Sequence, residues 1–139
     1  MATGKLEFKF WPMRMMAGPT RMALHYTGVE FDDITDIDYA GWFETGRPEV
    51  EKVNPLVNLP YLKLADGSYV VQSIAILRHI GRAYGLYGQT PRDSRRVDQV
   101  LDAVYDYRSE LLEVAQVPPE EYQDAKDSFR TDSVSEVLC

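Results

Sequence analysis

Two dipeptides, Leu59-Pro60 and Gln72-Ser73, are the residues of this sequence best suited to hold a ligand. An X-Pro bond is the one peptide bond in which cis costs little. A cis bond at Pro60 is expected to turn the chain and leave the N–H and C=O of Leu59 open to strand-like pairing with a peptide-shaped ligand. Gln72-Ser73 stands where strand spacing gives way to helical spacing. The orphan N–H groups and positive dipole end of a helix start favour a carboxylate. A peptide-pairing edge beside such a helix start suits a small acidic peptide. Singly, each dipeptide reads better as part of a plain hairpin and helix cap; their order and spacing together carry the ligand reading.

The elements that must position these residues lie on either side. Tyr61, Leu62 and Leu64 lead into Asp66-Gly67, and Tyr69, Val70 and Val71 lead out. This predicts a hairpin with a two-residue turn, both residues at positive φ. Pro60 opens the first strand, where its missing N–H is tolerated. After Ser73, the spacing of Ile76, Leu77, Ile80, Ala83 and Tyr84 predicts a helix. Upstream, Leu6, Phe8 and Phe10 alternate with Glu7, Lys9 and Trp11 to give a first strand that Pro12 ends. Met15, Met16, Pro19, Met22, Ala23 and Tyr26 predict one apolar helix face, with Pro19 in the first turn and Gly28 as the stop. Residues 29–37 read as a second strand whose acidic residues mark an exposed edge. Residues 39–53, interrupted by Gly41, Gly46 and Pro48, read as irregular.

Composition narrows the class. The 139 residues are 45% hydrophobic and 27% charged, as in a soluble globular chain of one domain and part of another. A net charge of −7 argues against nucleic acid as the main partner. No apolar run approaches the ~20 residues of a membrane span, and Lys5, Glu7 and Lys9 interrupt any signal pattern, so a cytoplasmic location without membrane contact is expected. The single cysteine, Cys139, permits neither an intrachain disulfide nor a C-x-x-C pair, and no metal is expected.

The stretch from Asn58 to Ser73 resembles the glutathione-binding half of the cytosolic glutathione transferases. The segment from Phe10-Trp11 through Arg14 to Arg21 resembles the sigma and mu classes of that family, in its aromatic pair and both arginine places. The resemblance implies a thioredoxin-like α/β domain (βαβ-ββα) over residues 1–84, a linker at 85–90, and the first part of an all-α domain at 91–139. It implies that Leu59, before Pro60, holds the cysteinyl backbone of glutathione, that Gln72 and Ser73 hold its γ-glutamyl carboxylate, and that Asn58 also belongs to the glutathione site. It further implies that Trp42 and Arg47, with Lys52 as the second basic candidate, hold the glycyl carboxylate.

One departure matters most. The family's catalytic tyrosine position is Phe10, and a phenyl ring has no donor to stabilise a thiolate. Met15 and Met16 stand where other branches carry Ser or Cys. Arg14 is then the candidate for supplying positive potential, its alternative role being a buried Arg that holds the loop by hydrogen bonds to carbonyls, and Thr20 is a weaker candidate because it falls inside the helix.

Further on, Thr90-Pro91-Arg92-Asp93 predicts a well-capped helix, and Pro118-Pro119 ends it. Asp98, Asp102 and Asp106 line an acidic strip on it. By the resemblance, Asp106 reaches across a homodimer interface to the ammonium of glutathione. Members of the family continue through several more helices, so a C-terminally truncated form is expected. The function expected is conjugation of glutathione thiolate to a hydrophobic electrophile. The alternative is a non-catalytic glutathione- or peptide-binding relative. A thioredoxin-type redox protein is disfavoured because no cysteine ends the first strand.

Overall fold

A computed structural model describes residues 5–138, and side chains through residue 131. Cys139 lies outside the described residues. Contacts divide the chain into two units that meet between Tyr87 and Gly88.

The first unit is built on a mixed four-stranded sheet in the order β2-β1-β3-β4, comprising β1 (Leu6–Lys9), β2 (Phe31–Ile34), β3 (Tyr61–Lys63) and β4 (Tyr69–Val71). β2 runs parallel to β1, joined to it through α1 (Gly18–Thr27); β3 is antiparallel to both β1 and β4. α4 (Ser73–Ala83) packs against α1, β3 and β4. The period-two pattern of β1 is realised: Leu6 and Phe8 are buried, while Glu7 reaches Lys63, its register partner on β3, at 2.7 Å. Phe8, Leu24, Leu62, Ile76 and Ile80 form the fully buried centre.

The secondary structure departs from the expected elements in four places. The buried face of the first helix is Thr20 and Leu24, with Ala17 just before it, whereas Met22 and Tyr26 are 74% and 79% exposed. The methionines suggested a face by their number, but the phase of the helix is set by the residues that meet the sheet. Pro19 and Gly28 do bound it, Gly28 at φ 68°. The second strand is shorter than 29–37, though it is an edge strand.

The hairpin loop has three residues, not two. Leu64 N–H bonds Ser68 O, Gly67 N–H bonds Leu64 O, and only Gly67 has positive φ (85°). This is a turn followed by a left-handed residue, and Asp66 instead accepts from the Ser68 N–H and hydroxyl.

The stretch read as irregular is helical, as α2 (Tyr39–Gly41), a π-turn (Trp42–Gly46) and α3 (Arg47–Glu51). Asp38 caps its start through Gly41 N–H, and Pro48 sits in the first turn of α3, where it does no harm. Gly46 is needed for space: a Cβ there would stand 2.9 Å from Trp42 Cε3.

The second unit is α5 (Pro91–Val114) and α6 (Tyr122–Leu138), in contact through Tyr107 and Phe129 at 5.0 Å. α5 opens on a reciprocal box: Thr90 Oγ1 accepts from Asp93 N–H, and Asp93 Oδ2 accepts from Thr90 N–H. No helix among the described residues is long and apolar enough to cross a membrane.

Candidate functional site

Strand register brings the candidate residues to one end of the sheet. Lys9 pairs with Tyr61, Tyr61 with Val71, and Lys9 with Ile34. The adjoining residues at that end are therefore Phe10, Pro60, Gln72 and Thr35. The Leu59-Pro60 and Gln72-Ser73 dipeptides, far apart in sequence, follow from one hairpin register as neighbours, with the end of β1 beside them.

The Leu59–Pro60 bond is cis. Leu59 and Pro60 are buried, and Asn58 is exposed. The Leu59 N–H is not left open as the sequence suggested, because the Asn58 side chain accepts from it at 2.9 Å. A short polar side chain next in the chain competes for a neighbouring backbone donor. Asn58 Oδ1 thus stands where a ligand carbonyl would pair, and its exposure leaves it room to swing away.

Gln72 occupies the N-cap position of the eleven-residue α4 at φ 72°, ψ 120°, and no side chain among the described residues caps that helix. A non-glycine residue in this region stores strain, which clusters at ligand sites. Ser73, the first helical residue, is buried, whereas Gln72 is exposed. The result is an uncapped helix start with a hydroxyl and an amide beside it, suited to a carboxylate.

Phe10 is 5% exposed, a core residue whose N–H bonds Ile34 O at 3.2 Å. Its ring brings no donor to the end of β1. Arg14 is exposed; its carbonyl accepts from Gly18 N–H at 2.6 Å, while its guanidinium makes neither a hydrogen bond nor an ion pair among the described residues. Arg21 is fully engaged with Asp33 and Met13 O, and its guanidinium lies 5.6 Å from the Phe8 ring. Thr20 is wholly buried and its hydroxyl has no partner among the described residues.

Trp42 is 2% exposed, with its ring 6.1 Å from that of Tyr61. Burial pushes the Tyr61 phenol up to about 12, with Tyr69 and Glu7 adding to the effect. Of the two basic candidates, Lys52 is occupied by Glu49 at 2.6 Å. Arg47 has a buried Nε without a hydrogen-bond partner among the described residues. Asp106 lies exposed on α5 in the second unit.

Three features escaped the sequence reading. The pairing of Arg21 with Asp33 had only the weak signal of one charge on α1 and one on β2. Met15 has φ 23°, for which a methionine gives no warning. Tyr39 and Phe43 join Trp11 in a row of rings, which their i, i+4 spacing would have revealed had 39–53 been read as helix. Among the described residues, no three His, Cys, Asp or Glu side chains gather as a metal site.

A sheet ordered β2-β1-β3-β4, with a parallel crossover followed by a hairpin and helix, is the thioredoxin-like arrangement. Residues 17–83 match the family model described as the glutathione S-transferase N-terminal domain. The chain is 32% identical to glutathione S-transferase 2 of Manduca sexta, over 96% of this chain and 66% of that one. It is 35% identical to glutathione S-transferase Mu 1 of Mus musculus, over 82% of this chain and 54% of that one. A glutathione S-transferase of Necator americanus, described as monomeric, superposes with a TM-score of 0.70 at 25% identity, over 90% of this chain and 63% of that one. The chain belongs to the glutathione S-transferase family. It spans roughly half to two thirds of the length of these relatives.

Proposed function

We propose that this chain binds glutathione and presents its thiolate to a hydrophobic electrophile. The observation that carries this reading is the meeting of Leu59-Pro60 with the uncapped start of α4 at one end of the sheet. In this reading the glutathione cysteinyl carbonyl displaces Asn58 Oδ1 from the Leu59 N–H. The γ-glutamyl carboxylate accepts from the Ser73 hydroxyl and the first N–H groups of α4, with Gln72 alongside. The glycyl carboxylate pairs with the Arg47 guanidinium, and buried Trp42 serves as packing behind it. Asp106 of a second copy meets the γ-glutamyl ammonium in a homodimer, and the protein is cytoplasmic, in a detoxifying role.

In the reaction, the thiol loses its proton to solvent, a sulfur–carbon bond forms, and the electrophile's leaving group departs with its bonding pair. Binding positions the sulfur and raises its thiolate fraction. Phe10 supplies no hydrogen bond, so the positive potential of the α4 start and of Arg14 lowers the thiol pKa. The second reading, a glutathione binder without turnover, has the donorless Phe10 ring in its favour.

Two assays separate them. Retention on immobilised glutathione tests binding, and turnover of an aryl halide tests chemistry. The catalytic reading expects both, with turnover raised in Phe10→Tyr. Retention with no turnover, before or after that change, rejects catalysis; no retention rejects both readings. Sedimentation showing only monomer at all concentrations removes Asp106 from the site.

A further inference from the structure

We propose that the row of rings Trp11, Tyr39 and Phe43 is a docking surface for a proline-rich, arginine-bearing segment of a partner protein.

The rings form a continuous ladder. Trp11 and Tyr39 stack with centroids 5.8 Å apart and planes 21° apart, and Tyr39 meets Phe43 at 4.7 Å. Trp11 packs against the core and anchors the row, while Tyr39 is 70% and Phe43 42% exposed. The Asp38 cap on Gly41 N–H, at 2.7 Å, fixes the turn that carries Tyr39. Rigid exposed aromatic rings offer contact area at little cost in side-chain entropy.

The shape and charge of the surface select the occupant. A ring exposed to this extent does not enclose a small molecule, but an extended chain can lie along it. Proline-rich segments in the extended polyproline II form dock on aromatic-lined surfaces of this kind. From Phe31 to Gly46 the chain carries acidic side chains and no Lys or Arg. Asp32 and Asp33 are paired with Lys5 and Arg21. Asp36, Asp38 and Glu44 have no cationic partner among the described residues. An arginine on the bound segment stacks on the rings and meets these carboxylates. The surface uses none of the side chains proposed to hold glutathione, so the two readings stand or fall separately.

The test is titration of the whole chain with a synthetic ten-residue proline peptide carrying two arginines, followed by tryptophan emission and by the Trp11 indole N–H resonance. Trp42 is buried, so emission changes on binding report Trp11. The expected result is saturable binding, about fivefold weaker or worse when the prolines become Gly and Ser, and absent when the arginines become Glu. Tyr39→Leu with Phe43→Leu keeps apolar bulk without rings and is expected to weaken binding about tenfold or more. Asp36→Asn with Glu44→Gln is expected to weaken it about threefold. Equal affinity for the proline-free arginine peptide, unchanged affinity in the leucine pair, or no saturation overturns the proposal. If the leucine pair does not fold, an unmoved Trp11 resonance in the parent chain overturns it as well.

Discussion

Arg21 on α1 grips Asp33 on β2 with a two-pronged contact: Nε lies 2.8 Å from Oδ2 and Nη2 3.1 Å from Oδ1. Its Nη1 donates to Met13 O at 2.7 Å, so one side chain ties the first helix, the edge strand and the loop after β1 together. That loop carries Arg14 and follows Phe10, so its placement governs the end of the sheet where the candidate site lies. Removing Arg21 leaves the exposed Asp33 carboxylate unpaired and frees the loop. Arg21→Ala is expected to cost about 1–2 kcal/mol in urea unfolding, most of it from the lost hydrogen bonds to Asp33 and Met13 O. Arg21→Lys, which keeps the charge but not the fork, is expected to recover only part of it. Equal stability of all three chains contradicts this role.

Thr20 carries a wholly buried hydroxyl with no hydrogen bond among the described residues. Valine has the same shape without the polar group. Thr20→Val is therefore expected to raise stability by roughly 1 kcal/mol, read as a higher urea midpoint at unchanged slope. A loss of stability would mean the hydroxyl has a partner, such as a buried water.

Gly46 lies against the Trp42 ring. Gly46→Ala must displace that ring or the π-turn, at a cost of about 1–3 kcal/mol. In a Trp11→Phe background, the emission of Trp42 is expected to shift to the red. An unshifted spectrum at parental stability rules out the close approach.

Tyr61 gives a pH dependence of known sign. Its phenol is held up to about 12 from an ordinary 10.0, chiefly by burial. The unfolded chain therefore loses this proton first as pH rises, so its contribution is full below about pH 10 and is lost between about pH 10 and 12. Thermal melts of Tyr61→Phe are expected to decline less over that range than those of the parent chain. Identical slopes would show that the phenol is not so buried.

The sheet and its end were legible in the sequence because they rest on strong local signals. Alternation in Leu6-Glu7-Phe8, the Gly67 turn, and the change of period at Ser73 are each dictated by backbone geometry, and together they fix the register that joins Leu59-Pro60 to Gln72-Ser73. What failed did so for tertiary reasons. The α1 face was misjudged because Met22 and Tyr26 are apolar without facing the sheet. Residues 39–53 were misjudged because Gly46 breaks helices in general but here makes room for Trp42. The Leu59 N–H was misjudged because Asn58, one residue away, was not weighed as a competing acceptor. Asp106, in the second unit, rests on its position in the sequence.

Calorimetric titration with glutathione tests the central claim most directly. The account predicts saturable binding to the parent chain, weakened roughly tenfold in Ser73→Ala and again in Arg47→Ala, with melting temperatures of the free proteins little changed. Absence of binding heat in a folded parent chain, or affinity unchanged in both variants, contradicts it.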